Sequence, residues 1–373
     1  MKMNIAIITT HPIQYQVPLF KELSKFKKFT PYIFFATDLG INKEKINKDF
    51  NLKFSWNIKM LSGYKFFFSK NNIWNNWFLS FANLEEKLDR IKCKYVLILG
   101  WNKAIYYQAI LYAIKKKIPI FLRGENNLEL RQNFFKKFIK KIIFRFFFSL
   151  FTGIFYIGKL NKIFYQFYGI SENKLIAAPY FIDNNFFYQK KKKYKNVFNI
   201  LFVGTFIDRK RPFDILKVAK ILKNYKDIKF TFIGSGPLLS NCQKWARKNF
   251  LFNVNFRGFQ NQRQIKNTYA YSHILVNSSS YETWGLVVNE AMSAGLPCII
   301  TNKTGCAADL IREGKTGYTY EVNDLISLKK YILRIYNNKK LYLQMSSNSK
   351  DIVKDYNVSN SVKAIYSSIK SSC

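Results

Sequence analysis

The chain has 373 residues, 48% of them hydrophobic, enough for about two packed cores, so an intrinsically disordered polymer is excluded. Lys and Arg number 61 against 22 acidic residues, a net charge of +39 that calls for an acidic partner: a nucleic acid, an anionic lipid surface or a diphosphate. Five scattered cysteines (Cys93, Cys242, Cys298, Cys306 and Cys373) with no C-x-x-C pair argue against a disulfide framework or zinc site and point to reduced thiols in a cytosolic protein.

The apolar stretch near the N-terminus is too short for a signal peptide and reads as a buried strand over Asn4–Thr9. Further runs of strand length follow at Tyr32–Ala36, Tyr95–Leu99, Pro119–Leu122 and Ile154–Ile157, separated by helix-like stretches. Gly40–Lys70 reads as irregular, although it holds Trp56 and the phenylalanines Phe50, Phe54, Phe66, Phe67 and Phe68. Phe134–Phe148 (FFKKFIKKIIFRFFF) reads as a basic amphipathic helix. Lys136, Lys137, Lys140, Lys141 and Arg145 fall on one half, and Phe135, Phe138, Ile139, Ile142, Ile143 and Phe146 on the other. Phe134, Phe144, Phe147 and Phe148 intrude on the basic half. Such a helix suits an anionic membrane surface; the alternative is a core-facing helix with a solvated lysine face. The uncharged run Phe146–Gly158 falls short of the roughly 20 residues that span a bilayer.

After the lysine run Gln189–Asn196, the runs Asn199–Val203, Lys229–Ile233, Asn253–Phe256, Ile274–Asn277 and Cys298–Thr301 repeat the alternation. Repeated βα units mean a parallel sheet wrapped by helices. The expected division is 1–188 as one Rossmann-like domain, 189–197 as a Lys-rich linker, 198–355 as a second Rossmann-like domain, and 356–373 as a C-terminal helix.

The most informative segment is Ser278–Pro297, a polar loop, a short helix from Gly285 and a stop at Gly295 and Pro297. A loop feeding a helix N-terminus at the carboxyl end of a strand is an anion site in α/β proteins. Glu282 and Glu290 add acceptors for neutral hydroxyls. On a continuous helix they would lie about 12 Å apart along the axis and about 80° around it. That reach suits a ligand with hydroxyls at both ends of a diphosphate, a nucleotide sugar. The alternative is a helix-capping Glu282 and a solvated Glu290.

Ser279, Glu282, Gly285, Glu290, Ala291, Gly295 and Pro297 resemble the E-x7-E motif of retaining glycosyltransferases, in particular glycosyltransferase family 4. Leu201–Pro212, Phe232–Pro237, Val254–Phe259 and Thr304–Ile311 extend the resemblance in order along the second half. Thr10–Tyr15 and Arg123–Asn126 resemble a subgroup of the family in the first half. The resemblance implies an α/β fold of the GT-B type, two Rossmann-like doubly wound parallel-sheet domains facing a cleft, with the last helix commonly crossing back to the first domain. Gly40–Lys70 then looks like an acceptor-side insertion.

The resemblance also implies roles. Glu290 would bind the ribose hydroxyls and Glu282 those of the transferred sugar. Lys210 would contact the diphosphate, with backbone N–H groups from Trp284 to Leu286, and Gly285 would allow close approach. Main chain near Phe259 and Gln260 would line the base. Gly204, Thr205, Arg209, Gly234, Gly236 and Thr283 complete the donor side. The family often has a second basic residue where this chain has Thr205, which leaves Arg209 and Arg211 as candidates for the second positive charge. Arg123 and Glu125 join Glu282 and Lys210 as catalytic candidates, Arg123 alternatively as a structural ion-pair partner. His11 and Gln14 fall on the acceptor side.

The expected function is transfer of a sugar from a UDP-, GDP- or ADP-sugar to a glycan acceptor, free or lipid-linked, with retention of configuration, in surface polysaccharide or glycoconjugate synthesis. No D-x-D motif is present, so no metal and no other cofactor is expected. The expected location is cytoplasmic, peripheral at the inner membrane face through 134–148. A sugar-nucleotide epimerase of the same fold, a nucleic-acid-binding protein favoured by charge alone, and a non-catalytic membrane-bound scaffold are the alternatives. Without zinc-finger spacing or an RRM-like aromatic run, no specific nucleic acid is expected, and A/T-rich codons for Lys, Asn, Ile, Phe and Tyr account for much of the basic excess.

Overall fold

The computed structural model describes residues 3–39, 41, 60–69, 79–128, 134–188 and 197–372. The lysine run Gln189–Asn196 and the aromatic residues Phe50, Phe54 and Trp56 lie outside them. The described residues cluster into two units. One holds those up to Tyr180 together with those from Val358 onward; the other runs from Phe181 to Asn357.

The first unit is built on β1 (Met3–Thr9), β2 (Phe29–Phe35), β3 (Lys65–Phe68), β4 (Tyr95–Ile98), β5 (Ile120–Arg123), β6 (Gly153–Tyr156) and β7 (Leu175–Ala177). They form a parallel sheet in the order β3-β2-β1-β4-β5-β6-β7, with Ile5 of β1 opposite both Pro31 of β2 and Tyr95 of β4. Strands buried on both faces need apolar residues at successive positions, as Ile5–Ile8 and Tyr95–Ile98 supply. Helices α1 (Val17–Ser24), α2 (Leu84–Arg90), α3 (Ala104–Lys116), α4 (Phe134–Ser149) and α5 (Lys159–Phe167) connect them.

The second unit repeats the plan. It contains α6 (Asn184–Phe187), β8 (Phe198–Val203), α7 (Pro212–Ile221), β9 (Ile228–Ile233), α8 (Leu239–Lys248), β10 (Val254–Phe256) and α9 (Gln262–Tyr271). Then come β11 (Ile274–Asn277), α10 (Leu286–Ser293), β12 (Cys298–Thr301), α11 (Ala307–Leu310), β13 (Gly317–Tyr320), α12 (Leu325–Tyr336) and α13 (Lys339–Val353). The parallel order is β10-β9-β8-β11-β12-β13. In both sheets the order reverses beside the first strand, the arrangement of doubly wound nucleotide-binding folds, and ligands bind where it reverses. The last helix, α14 (Val358–Ser371), returns to the first unit. There the Tyr366 ring packs on Phe26 and Phe29, with centroids 4.6 and 5.1 Å away, and the Ser361 hydroxyl donates to the Pro179 carbonyl.

The structure departs from the sequence expectations in three ways. Strands β3, β7 and β13 were not expected, and Lys65–Phe68 lies inside the stretch read as irregular. All three are edge strands of only three or four residues, shorter than the usual strand of roughly five or six. Phe181–Tyr188, expected in the first domain, cluster with the second unit. Asn184 explains this: its amide donates to the Val353 carbonyl at 3.0 Å and its side-chain oxygen accepts from Ser293 at 2.9 Å. Finally, α4 does not divide into one apolar and one basic half. Phe148 is fully buried against Tyr165, Trp101 and Phe164, with ring centroids 5.1, 5.3 and 6.0 Å away, and Phe144 and Phe147 pack partly buried beside it, so these three intruding phenylalanines form the core face.

Truncating that anchor leaves a cavity between α4, α5 and the sheet. Phe148→Ala is expected to cost about 3–5 kcal/mol. Urea unfolding followed by tryptophan fluorescence should show it, and a loss below 1 kcal/mol would contradict the packing described.

Candidate active site

Two loops of the second unit meet where its strand order reverses. One leaves β8 at Gly204 and enters α7 at Pro212; the other leaves β11 at Ser278 and enters α10 at Leu286. Backbone and hydroxyl bonds join them. Ser280 N donates to the Arg209 carbonyl at 2.8 Å, and Ser278 Oγ donates to the carbonyls of Lys210 and Arg211 at 2.8 and 3.0 Å.

This seam brings Lys210 and Glu282 together, although 72 positions separate them. Lys210 Nζ lies 2.5 Å from both carboxylate oxygens of Glu282, and both side chains are mostly buried. Ser279 Oγ donates to the same carboxylate at 2.9 Å. Burial pushes the Glu282 carboxyl upward, but the Lys210 charge and hydrogen bond, Ser279 and Arg209 outweigh it and hold it below the usual glutamate value. Glu282 is not helical. It bridges to Thr304, its N–H donating to the Lys303 carbonyl at 3.2 Å and its carbonyl accepting from Gly305 N at 2.9 Å. The two glutamates are therefore spaced by a loop and one helical turn, not by a continuous helix.

Gly285 is the N-cap of α10 at φ +101°, a left-handed conformation in which a side chain is strained, and an added Cβ would sit 2.9 Å from Thr304. No side-chain oxygen caps α10, whereas α9 carries a full capping box from Asn261 and Gln264. The N-terminal N–H groups of α10 thus keep the dipole end that favours an anion. Thr283 and Leu286 beside it are half-buried, and Trp284 is buried with its indole N–H donating to Asn289 at 2.8 Å.

The loop after β9 closes on the loop after β8. Gly234 has φ +136°, and any Cβ there would lie 1.9 Å from the Gly204 carbonyl oxygen; at Gly236 it would lie 2.8 Å from the Phe206 backbone. Thr205 and Phe259 are half-buried, and Gln260 accepts a hydrogen bond from Thr268 at 2.9 Å. Of the two candidates for the second cation, Arg211 is engaged by Asp214, at 2.6 and 3.1 Å, and by Asn323. Arg209 is exposed and donates to the Tyr281 carbonyl at 2.9 Å, in the loop that carries Glu282.

Glu290 lies on the inner face of α10 and is only 2% exposed. It accepts a hydrogen bond from the Tyr269 hydroxyl on α9 at 2.9 Å. Tyr269 and Asp214 were not singled out in the sequence. The partner of Tyr269, Glu290, lies 21 positions away and no local spacing announces it. Asp214 follows Arg211 by three positions, a local pair that one turn of helix brings together, whereas Ser278, Ser279 and the glycines sit inside the motif segment.

In the first unit, Arg123 ends β5 and is buried. Its guanidinium lies 5.2 Å from the centre of the Tyr180 ring and donates to the Ala178 carbonyl at 3.4 Å. The Tyr180 hydroxyl donates to Glu125 at 2.6 Å, so one tyrosine links both residues. Burial lowers the pKa of Arg123 and raises that of Tyr180. His11 and Gln14 lie between β1 and α1. His11 Nδ1 is 2.9 Å from the Thr10 hydroxyl, and burial lowers its pKa. Gln14 is buried, and its Oε1 has no hydrogen-bond partner among the described residues.

Residues 183–352 match the family described as Glycosyl transferases group 1. Among curated relatives, the N-acetyl-alpha-D-glucosaminyl L-malate synthase of Bacillus anthracis is 25% identical over 209 residues, 54% of each chain. The UDP-Gal:alpha-D-GlcNAc-diphosphoundecaprenol alpha-1,3-galactosyltransferase of Escherichia coli is 28% identical over 180 residues, 46% of this chain and 45% of that one. The chain spans about half the length of these curated relatives. Over the whole fold, an Anabaena protein solved in complex with UDP superposes with a TM-score of 0.75, covering 100% of both chains at 12% identity. The fold is the two-domain, Rossmann-like GT-B fold, and these likenesses support a GT-B glycosyltransferase.

The ion pair sets a pH-dependent test. A carboxyl held low in the folded chain stabilises it above the ordinary value of 4.5 and loses that contribution as the pH falls through the lower folded value. Glu282→Gln is therefore expected to cost roughly 1–3 kcal/mol at pH 7. The gap to the parent chain should close as the pH falls below that ordinary carboxylate value. Urea midpoints of both proteins from pH 7 to pH 3 check this, and a gap that stays constant would contradict it.

Proposed function

We propose that the chain transfers a sugar from a nucleotide-diphosphate donor to a glycan acceptor. The observation that carries this is the Lys210–Glu282 pair on the seam beside the uncapped N-terminus of α10. A leaving nucleoside diphosphate gains negative charge, and preorganised donors aimed at it lower the barrier. Lys210, Arg209 and the α10 N–H groups supply such donors without a metal. When the diphosphate arrives, Lys210 exchanges its carboxylate partner for phosphate oxygens, and the Glu282 oxygens become available to the sugar hydroxyls. Glu290, held by Tyr269, takes the ribose hydroxyls, and main chain near Phe259 and Gln260 lines the base.

The reading includes retention, by a front-face route in which the leaving phosphate takes the proton of the attacking hydroxyl. This rests on the resemblance of Ser278–Pro297 to the E-x7-E motif. The acceptor side is assigned to the first unit, with Glu125, His11 and Gln14 as polar contacts and Arg123 as the buried support of Tyr180. A lipid-linked glycan is the preferred acceptor, because one relative is named for a diphosphoundecaprenol substrate.

A screen of labelled UDP-, GDP- and ADP-sugars is expected to find one that binds and is slowly hydrolysed; binding of none refutes the proposal. For the nucleoside diphosphate that binds, Lys210→Ala should weaken affinity about 10–100-fold, the range of a charged hydrogen bond. Glu290→Gln should weaken it less, and Glu282→Gln should spare the bare nucleotide while lowering the preference for the sugar-bearing donor. Isothermal titration separates these outcomes, and an unchanged affinity in Lys210→Ala and Glu290→Gln rules out the assigned roles.

A further inference from the structure

The outer face of α4 is apolar and uncovered. Phe138, Ile139, Ile142, Ile143 and Phe146 are exposed by 58, 56, 58, 57 and 72%. At 100° per residue these five cover an arc of about 140°, about 12 Å long. They are not the residues that hold the helix to its unit, since Phe148 is buried and Phe144 and Phe147 pack partly beneath it on the opposite side. A second row continues the surface on α3, where Tyr107, Leu111 and Ile114 are exposed by 48, 67 and 51% at one-turn spacing. Beneath the two rows the Tyr107 and Phe147 rings lie 6.2 Å apart, so α3 and α4 run side by side. Contiguous apolar surface of this extent marks an interaction site, unlike scattered single residues.

The charges beside it identify the partner. Residues 134–149 contain five cations and no acid. Among the described residues, Lys140, Lys141 and Arg145 make no ion pair. Lys140 and Lys141 lie over the Phe144 and Phe167 rings at 5.4 and 5.2 Å, and Arg145 runs along Gly169. In helical projection, Lys140 borders one edge of the apolar arc and Lys141 with Arg145 the other. On α3 the acids of α2 neutralise the neighbouring lysines, Lys115 with Glu85 and Lys116 with Asp89. Of these two helices, α3 thus has its lysines paired, whereas Lys140, Lys141 and Arg145 of α4 stay uncompensated among the described residues. A second copy would bring its own +39 charge to the same face and be repelled. A negatively charged bilayer surface satisfies both features: the apolar row enters the headgroup boundary, and the cations reach the phosphates.

We propose that α4 and α3 together form a docking surface for an anionic lipid bilayer, in which α4 lies in the interface plane and contributes the deeper row. No helix among the described residues is long and apolar enough to cross a membrane, so the contact is interfacial. The proposal does not rest on glycosyl transfer, because partition onto vesicles is read without any donor.

The test is flotation of the whole chain with phosphatidylglycerol–phosphatidylcholine vesicles and with phosphatidylcholine vesicles. Binding is expected to the anionic vesicles, at least tenfold weaker to the neutral ones, and reduced by 0.5 M salt. Ile142→Glu with Ile143→Glu, and separately Leu111→Glu, should each lower the anionic partition by tenfold or more while leaving the thermal midpoint unchanged, since all three side chains already face outward. Equal binding to both vesicle types overturns the assignment to an anionic surface. Undiminished partition in either variant removes that helix from the surface. Dimerisation seen by light scattering, abolished by the same substitutions in a chain that ignores vesicles, assigns the face to a second copy instead.

Discussion

A lysine and a glutamate taken largely out of water must neutralise each other, and much of the second unit is arranged to let Lys210 and Glu282 do so. The pair requires two loops to meet, which requires β8 and β11 to be neighbours, which the reversed strand order provides. Ser278 and Ser280 hold the loops in register through backbone carbonyls, and Gly204 and Gly234 let a third loop close behind them. Each device is local, but removing any one would displace a charge that has little solvent to fall back on. The same arrangement stores a cation and a carboxylate in mutual contact, ready to be separated by a ligand carrying complementary groups of its own.

Much of this was legible from the residues. Buried parallel strands advertise themselves as continuous apolar runs, so the central strands of both sheets could be read, whereas β3, β7 and β13 at the edges could not. The motif from Ser278 to Pro297 announced a loop and a short helix, and Gly285 as the turning point, because only glycine tolerates that conformation beside Thr304. It did not announce that Glu282 would be extended or that Lys210 would occupy it. Nor did it show that Glu290 would turn inward to Tyr269. These follow from which strands lie side by side, a property of the assembled sheet and not of any window of sequence.

The α4 segment shows a different limit. Its phenylalanines and isoleucines go all the way round the helix, so periodicity alone divides them poorly. Only packing against Trp101, Phe164 and Tyr165 separates the phenylalanines that anchor the helix from the apolar residues left outside. The lysine excess was similarly ambiguous as a bulk quantity. It becomes informative when Lys115 and Lys116 prove to be paired with α2 acids and, among the described residues, Lys140 and Lys141 on α4 make no ion pair.

The return of α14 to the first unit makes the chain discontinuous in its own architecture: the strands near the start await a helix made near the end. During synthesis the second unit, continuous from Phe181 to Asn357, has all its parts before the first does. Until Val358–Ser371 emerges, the surfaces of α1 and β7 that it covers stay open, with Phe26 and Phe29 lacking their Tyr366 partner. The half translated earlier is therefore the half completed later, and its last step is a long-range closure whose rate is set by the chain between.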